Sequence, residues 1–365
     1  MTMGIGGAGS KLAILYDGEA TIVNVSEAEL SKLPAKNRIL AVVHSATGQL
    51  RGSRKNPQIG REAFLSIKRE MLAQICGNLV FSSTGGGTGN GITASLLDDL
   101  AHRETVPAGE KTAFVLLLPY AKLEPAEFID NTIGFLRGPL SQAIDSGNTG
   151  NIFLFTNRLK FESKLSEQDY NAALIESLKV FMAIPRKGES FRLLDGHVDY
   201  EDFDLYLSKP YFNHFTYFHY DPEVDFQKQL EANLNPYLLP PEKPIEALFL
   251  LEVPAGGDPT LFYDILSHFA KDNVTPVYSV VENPELDKPF VTVSLLYSRK
   301  PAELVDDFNR VSHAHTQAKV RKSLEQHVPL PVLRVSLESE AKRQGKQQGA
   351  DEAEILTVLR RLGKL

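Results

Sequence analysis

The chain has 365 residues, of which 42% are hydrophobic and 23% are charged, and its formal net charge is −7. This composition is typical of a globular protein of about two domains, and the negative charge argues against nucleic-acid binding over the whole surface. The one cysteine, Cys76, excludes an intrachain disulfide and a cysteine-based zinc site, and no apolar run approaches the roughly 18 residues of a membrane span. We therefore expect a cytoplasmic protein without direct membrane binding, in which Cys76 is a buried small hydrophobic residue.

Short apolar runs alternate with helical patterns over the first 160 residues. The alternation predicts a Rossmann-like α/β nucleotide-binding domain at residues 1–165, with a parallel sheet and helices on both of its faces. The predicted strands are Ala20–Val25, Ile39–Val43, Asn78–Ser82, Thr112–Leu118 and Asn151–Thr156, and the predicted helices include Arg61–Cys76 and Thr93–His102. Ligands bind to such sheets beyond the carboxyl ends of the strands.

A central connecting helix is predicted at residues 166–182, because Leu174, Leu178 and Met182 recur every four residues. Residues 183–240 show no regular period and contain many aromatic residues. We interpret these side chains as packing between the domains or as a subunit contact, and they are Tyr211, Phe212, Phe215, Tyr217 and Phe218.

A smaller α+β domain is predicted at residues 241–298. Its strands are Ala247–Val253, Pro276–Val281 and Phe290–Tyr297, and its helix is Pro259–Lys271, with Asp258 as the N-cap. Pro301 opens a long C-terminal helix within residues 299–328. Residues 329–365 are a polar tail, of which Asp351–Leu365 has the pattern of a short amphipathic helix.

The first of two glycine clusters, Gly4–Gly9, matches the dinucleotide pattern GxGxxG, which is a weak signal alone. Only three residues precede the cluster. We therefore expect the first strand to be nearly absent, which favours a truncated start. No acidic residue follows at the place that a dinucleotide site requires.

The second cluster, Thr84–Gly91, lies between a predicted strand and a predicted helix and has five glycines in seven residues. Glycine lets the backbone wrap an anion and direct several N–H groups at it, and the following helix N-terminus adds partial positive charge. A phosphate site is predicted here, against the alternative of a flexible surface loop. The absence of a lysine excludes a Walker P-loop.

The run Gly85–Gly91 resembles the signature GGGTG[TS]G of the tubulin/FtsZ GTPase family, and other segments resemble the family's motifs in chain order. They are Gly4–Gly9 as the first phosphate loop, Asn24–Ser26, Gly52–Arg61 as the γ-phosphate-sensing loop, Pro119–Tyr120, Asn157, the segment opening at Asn171, and His197–Asp202 as the catalytic loop. The resemblance covers about residues 3–298.

The resemblance implies a GTPase that uses GTP and Mg²⁺, assembles into filaments and is stimulated by assembly. The residues that it places on the nucleotide are Gly6, Gly7, Ala8, Gly9, Asn24, Ser26, Gly52, Asn56, Gly85, Gly86, Gly87, Thr88, Gly89, Asn90, Pro119, Asn157 and Asn171. No cluster of protein metal ligands is expected, because backbone N–H groups and Mg²⁺ hold the triphosphate. Asn171 is expected to read guanine; the alternative is an ordinary solvated helix residue.

Asp199 and Asp202 are implied to be catalytic and to polarise a water for attack on the GTP of the adjacent subunit. The alternative for this pair is a solvated acidic turn. The sequence departs from the family at three positions: Ser26 replaces an acid, Glu167 stands where a base-stacking aromatic is frequent, and His197 replaces an asparagine. The last change is one that could slow hydrolysis.

The short connection 298–300 before the long helix resembles tubulins and TubZ, the plasmid- and phage-borne segregation tubulins, more than FtsZ. We expect a self-assembling segregation filament, with an FtsZ-like division protein as the alternative and a Rossmann-type oxidoreductase as a distant one. The tail carries Lys342, Arg343 and Lys346 before its amphipathic segment. It is a candidate contact for an adjacent subunit or a DNA-bound adaptor, the alternative being a solvated terminus.

Overall fold

The computed structural model describes residues 2–45 and 48–325. The strands are β1 (Thr2–Ile5), β2 (Thr21–Asn24), β3 (Asn37–Leu40), β4 (His44–Ser45), β5 (Gly48–Gln49), β6 (Leu79–Ser83), β7 (Thr112–Leu118), β8 (Thr149–Thr156), β9 (Arg192–Gly196), β10 (Phe212–His219), β11 (Glu246–Val253), β12 (Val277–Glu282) and β13 (Phe290–Tyr297). The α-helices are α1 (Gly6–Tyr16), α2 (Glu27–Lys32), α3 (Pro57–Gln74), α4 (Thr88–Ala101), α5 (Ala126–Phe135), α6 (Ser141–Ser146), α7 (Arg158–Glu162), α8 (Glu167–Met182), α9 (Ile184–Ser190), α10 (Tyr200–Leu207), α11 (Phe226–Ala232), α12 (Phe262–Lys271) and α13 (Pro301–Glu325).

Eleven strands of the described chain form one sheet in the order β3-β2-β1-β6-β7-β8-β10-β13-β11-β12-β9. Neighbouring strands from β3 to β10 are parallel. Strand β13 runs antiparallel to both β10 and β11, so the C-terminal strands continue the same sheet. The predicted α/β class, with a mostly parallel sheet and a long C-terminal helix, is confirmed.

The centre of the sheet is buried on both faces. Every residue of β7, with the sequence TAFVLLL, is buried. Its side chains alternate between two core clusters: Phe114, Leu116 and Leu118 belong to one, whereas Val115 and Leu117 belong to the other. Successive side chains of a strand point to opposite faces, so helices cover both faces, as expected of a parallel sheet.

Side-chain caps fix where several helices begin. Ser166 Oγ accepts a hydrogen bond from the backbone N–H of Asp169 at 3.1 Å and starts α8. Asn56 Oδ1 accepts from the N–H of Gln58 at 2.9 Å and starts α3, with Pro57 at the first helical position. Such caps satisfy N–H groups that have no partner within the helix.

Three expectations from the sequence are wrong. The first strand is present, because Thr2–Ile5 pairs with both β2 and β6. The aromatic stretch after residue 183 contains a regular strand, Phe212–His219, in the middle of the sheet. Cys76 is exposed, because α3 ends at Gln74 and Cys76 follows it in a surface turn.

The described residues up to Thr316 form one compact unit, and the described residues 317–325 lie outside that unit. The predicted amphipathic segment 351–365 and the basic residues of the tail lie outside the described residues, and the predicted domain boundaries stay predictions. Among the helices in the described ranges, none has the length and apolar character needed to span a bilayer.

One buried histidine holds β10 against the chain that follows it. His214 is 1% exposed. Its Nδ1 lies 2.8 Å from the carbonyl oxygen of Leu239, to which it donates, and its Nε2 accepts from the N–H of Asn235 at 3.2 Å. Burial lowers the pKa of His214 to about 4, and the hydrogen bond to Leu239 opposes that shift. The imidazole is therefore neutral at pH 7.

The lowered pKa of His214 predicts a loss of stability in mild acid. A histidine whose pKa falls on folding stabilises the protein fully above its unfolded pKa of about 6.5, and this contribution disappears as the pH falls towards the folded value. His214→Gln can make the same two hydrogen bonds without titrating. Its free energy of unfolding, measured in denaturant, should fall less steeply than that of the wild type between about pH 6.5 and 4.5, by at most ~1.4 kcal/mol per pH unit.

The exposed residue His44 provides the matched control. His44→Gln should keep the wild-type pH slope. Identical pH slopes for His214→Gln and the wild type would contradict the inference that the lowered pKa of His214 reduces stability in mild acid.

Candidate active site

The two glycine clusters pack directly on each other at the carboxyl edge of the sheet. Gly6 has φ of +74°, and a Cβ there would lie 2.7 Å from the backbone nitrogen of Gly89. A Cβ on Gly9 would lie 2.3 Å from the carbonyl oxygen of Phe81 in β6. A side chain at Gly6 would therefore separate the start of α1 from the start of α4, and one at Gly9 would separate α1 from β6.

The predicted γ-phosphate-sensing loop joins the same assembly. A Cβ on Gly87 would lie 2.5 Å from Ser53 Oγ, and one on Gly91 would lie 2.0 Å from the carbonyl oxygen of Pro57. Thr88 Oγ1 donates to Ser53 Oγ at 3.0 Å. Packing within the protein thus already requires glycine at several positions of the second cluster.

Gly86 is the glycine of this cluster that the packing leaves most open. A Cβ there would meet only Ser83 Oγ, at 3.5 Å, which is an ordinary contact, whereas one at Gly85 would lie 3.0 Å from the Cβ of Phe128. Helix α4 begins two residues later, at Thr88. The N–H groups in the first turn of a helix have no partner within that helix and carry partial positive charge, so the start of α4 near Gly86 suits an anion.

Asn131 is a site residue that the sequence did not reveal. Its Nδ2 donates to the carbonyl oxygens of Gly85, at 2.8 Å, and of Lys55, at 3.0 Å. The backbone carbonyl oxygen of Asn131 accepts a hydrogen bond from Asn90 Nδ2 at 3.0 Å. One residue of α5 therefore ties the second glycine cluster to the loop at Lys55, and no motif around Asn131 signals this role.

Asn24 and Ser26 meet the first glycine cluster through Glu29, a second unpredicted residue. Glu29 Oε2 accepts from Asn24 Nδ2 at 2.8 Å and lies 3.1 Å from where a Cβ of Gly7 would stand. Ser26 Oγ accepts from the N–H of Glu29 at 3.3 Å and caps α2. Ser26 replaces the acid that the family motif has at this position. The carboxylate of Glu29, in the first turn of α2, lies beside Asn24, two residues before Ser26.

Pro119 and Asn157 follow the adjacent strands β7 and β8 and are linked by Glu124. Asn157 Nδ2 donates to Glu124 Oε2 at 3.0 Å, and the N–H of Tyr120 donates to the same carboxylate oxygen at 2.6 Å. Pro119 also lines a mostly apolar cavity of about 470 Å³ on the side of α13, with Leu304 and Phe308. No residue of the glycine clusters lines this cavity.

Asn171 is a buried polar residue without a partner. It is 5% exposed, and its side chain makes no hydrogen bond within residues 2–45 and 48–325. Glu167, one turn earlier on the same face of α8, forms an ion pair with Lys11 of α1 at 2.8 Å. This face of α8 therefore lies beside α1, the helix that the first glycine cluster begins.

Asp199 and Asp202 are at the start of α10, a helix that lies by the amino ends of the parallel strands, opposite to the glycine clusters. Helix α8 has 16 residues and is about 24 Å long at 1.5 Å per residue. Its last residue, Met182, lines a cavity with Thr2 and Leu79 at the beginnings of β1 and β6, and this cavity also contacts Asp204 of α10. The chain thus keeps the acidic pair away from the glycine clusters.

The two aspartates differ in what they already do. Asp199 Oδ1 accepts from the N–H of Asp202 at 2.8 Å and caps α10, whereas the carboxylate of Asp202 is exposed and has no hydrogen bond or ion pair among the described residues. Asp202 is therefore the freer of the two to bind water. In the described ranges, no group of three or more histidine, cysteine, aspartate or glutamate side chains could hold a metal ion.

No protein-family model matches the sequence, and no curated protein matches it. Solved structures do match. TubZ from Bacillus thuringiensis serovar israelensis, in a GTPγS-form protofilament, has a TM-score of 0.66 and 14% identity over 89% of this chain and 93% of its own. CetZ2 from Haloferax volcanii, in a GTPγS-bound protofilament, has a TM-score of 0.61 and 18% identity over 87% and 98% of the two chains.

FtsZ from M. jannaschii, solved as an empty dimer, has a TM-score of 0.59 and 19% identity over 81% of this chain and 87% of its own. These similarities show that the chain has the tubulin/FtsZ fold. The fold that the sequence motifs implied is confirmed.

The unpartnered amide of Asn171 predicts the effect of a substitution in the free protein. Among the described residues, the amide atoms of Asn171 are not among the fully buried polar atoms that lack a hydrogen bond, so water can reach them. Leucine has a similar size, and the substitution removes no hydrogen bond within the described part of the protein. Asn171→Leu should therefore unfold at the same temperature as the wild type or at a higher one, as measured by calorimetry without nucleotide. A loss of stability above about 2 kcal/mol would mean that the amide already has a partner.

Proposed function

We propose that this protein binds and hydrolyses GTP and assembles head to tail into filaments. The observation that carries the proposal is the separation of the glycine clusters from Asp199 and Asp202, at opposite edges of one sheet. A single chain cannot bring the two sets of residues together. Stacking one subunit on the next along the strand direction would place the acidic pair of one subunit over the glycine clusters of its neighbour.

The residues at the carboxyl edge suit a guanine nucleotide. The space beside Gly86 and the start of α4 would hold phosphates, and the amide of Asn171 can donate to guanine O6 and accept from a ring or exocyclic N–H. Ser53 and Thr88 offer hydroxyl oxygens, the hard ligands that Mg²⁺ accepts beside phosphate oxygens. When bound, Mg²⁺ supplies positive charge for the terminal phosphates.

The chemistry at the shared interface would be general-base catalysis. Asp202 of one subunit would orient a water and take up its proton as the water attacks the terminal phosphate. Asp199 would hold the first turn of α10 and so position Asp202. A positioned base of this kind contributes about 10²–10⁴-fold to the rate. Assembly would stimulate hydrolysis because the base arrives only with the neighbouring subunit.

A role in DNA segregation is the finer proposal. Three residues separate the end of β13 at Tyr297 from the start of helix α13 at Pro301, and this short connection favours a segregation filament over a division protein. A DNA-bound adaptor on the tail belongs to the same proposal. The oxidoreductase alternative has one favourable observation, the carboxylate of Glu29 beside Gly7, and binding of NAD in preference to GTP would support it.

We expect turnover per molecule to rise with protein concentration, because the active site forms between subunits. Asp202→Asn should bind GTP with unchanged affinity, form longer-lived filaments and release phosphate about 10²–10⁴-fold more slowly. Light scattering with Mg²⁺-GTP and Mg²⁺-ATP, together with a phosphate-release assay, measures both effects.

Glu201→Gln is the control, since Glu201 is exposed on the same helix and has no assigned role. It should release phosphate at the wild-type rate. Equal assembly with GTP and ATP would contradict the guanine assignment, and a turnover independent of concentration would contradict the shared site.

A further inference from the structure

The helix that carries Asp202 is short and has few buried anchors. Helix α10 has 8 residues, of which Phe203 and Tyr206 are buried. The ring of Phe203 packs on Phe181 of α8, with the ring centres 5.2 Å apart. Tyr206 lies one helical turn after Asp202, so the contacts that hold Tyr206 also determine where Asp202 stands.

A closed network of polar side chains holds Tyr206 by both its hydroxyl and its backbone. The hydroxyl donates to Ser294 of β13, whose carbonyl oxygen and Oγ each lie 3.1 Å away. Ser294 Oγ donates to Asn213 Oδ1 at 2.8 Å, and Asn213 Nδ2 donates to Asn151 Oδ1 at 2.7 Å. Asn151 Nδ2 closes the network, because it donates to the carbonyl oxygens of Tyr206, at 3.0 Å, and of Lys209, at 2.9 Å.

The network lies inside the protein and belongs to three neighbouring strands and α10. Asn151 of β8, Asn213 of β10, Ser294 of β13 and Tyr206 are each at most 2% exposed. Burial raises the pKa of Tyr206, so its hydroxyl stays protonated and donates at neutral pH. A buried polar network with all its partners fixes one arrangement, whereas apolar side chains can also pack in neighbouring ones.

Strand β8 also approaches the end of α10 closely. A Cβ on Gly150 would lie 2.6 Å from the carbonyl oxygen of Leu207, the last residue of α10. Carbonyl groups in the last turn of a helix lack a partner in the regular helical pattern, and Asn151 donates to that of Tyr206. Asn151 therefore fixes the end of the helix, and the Tyr206 hydroxyl fixes its rotation.

We propose that Tyr206 is a positioning residue for hydrolysis, which fixes α10 through this network so that Asp202 meets the terminal phosphate of the neighbouring subunit. This inference rests on the proposed shared site. The exposed carboxylate of Asp202 has no hydrogen bond within residues 2–45 and 48–325, so its position follows from that of the helix. A misplacement of about 1 Å at a reacting group can cost about 100-fold in rate.

The Tyr206→Phe variant keeps the aromatic packing and removes the hydroxyl. Because α10 would then misplace the base, kcat for phosphate release should fall about 10–100-fold. The nucleotide site is at the other end of the strands, so GTPγS affinity should match the wild type in titration calorimetry below the assembly concentration. Sedimentation should show that the variant still forms polymer.

Tyr220→Phe is the matched control. Tyr220 is also buried, at 3% exposed, and its hydroxyl donates to Asp264 at 3.4 Å within a different core cluster. The same atom is therefore removed away from α10, and kcat should equal that of the wild type.

Mixed polymers separate a positioning defect from a general loss of structure. Tyr206→Phe mixed 1:1 with Asn171→Ala should recover phosphate release to about a quarter of the wild-type rate, since random head-to-tail order joins the two intact halves at one interface in four. Tyr206→Phe mixed with Asp202→Asn should show no recovery, because both variants lack a correctly placed base.

Two results would overturn this inference alone. One is a wild-type kcat in Tyr206→Phe, and the other is a failure of Tyr206→Phe to recover activity with Asn171→Ala when Asp202→Asn does recover it. If Tyr206→Phe did not fold, Ser294→Ala would replace it, because it removes the hydroxyl that joins Tyr206 to Asn213; the same slow turnover and mixing pattern are expected. A wild type that does not hydrolyse GTP would overturn the proposed function and this inference together.

Discussion

The polarity of a parallel sheet is the constraint on which the rest of this structure depends. Seven strands that are consecutive in the sheet all run in the same direction, namely β3, β2, β1, β6, β7, β8 and β10. The turns after β1, β2, β6, β7 and β8 therefore meet at the carboxyl ends of these strands. Both faces of β7 are buried in separate cores, which leaves the two edges as the places where a ligand can approach the strand ends. Helix α8 then carries the chain from the carboxyl edge to the amino edge, where α10 begins.

Close backbone packing at the carboxyl edge explains why glycine is so frequent there. Gly6, Gly9, Gly87 and Gly91 are each required by a neighbouring backbone or side-chain atom within 3 Å of the Cβ that they lack. The conformational entropy that such glycines cost is therefore offset first by packing. The β1–α1 turn, the β6–α4 turn and the loop before α3 pack against one another. Ligand access alone would explain Gly86, and the space beside it is where the phosphates of the proposed nucleotide would lie.

Local patterns predicted the elements that local chemistry determines. The mostly apolar run Thr112–Leu118 was predicted with the bounds that β7 has, and Ser166 and Asp258 cap helices at the predicted boundaries. Strand β10 was missed because its sequence, FNHFTYFH, buries Asn213, His214 and Thr216 among its aromatic residues. Their hydrogen bonds are made with distant residues such as Asn151 and Leu239, which no local pattern shows.

The same distinction applies to the site. Motifs predicted the glycine clusters and Asn171 as site residues, whereas Glu124 and Asn131 make contacts with residues distant in sequence, Asn157 and Lys55, that no motif shows. Ser26 departs from the expected acid, but the fold brings the carboxylate of Glu29 to Asn24, two residues away. At Glu167, the departure introduces an ion pair with Lys11 in place of an aromatic face.

The central claim is that each active site is completed by two subunits, and mixing two inactive variants tests it most directly. The Asn171→Ala variant would lack the guanine contact, and the Asp202→Asn variant would lack the base. An interface between the two variants can combine the intact nucleotide site of the Asp202→Asn subunit with the intact Asp202 of the Asn171→Ala subunit. In a 1:1 mixture that co-sediments as one polymer, phosphate release should recover to about a quarter of the wild-type rate, because random head-to-tail order completes one interface in four. A rate equal to the mean of the two separate variants would contradict the shared site.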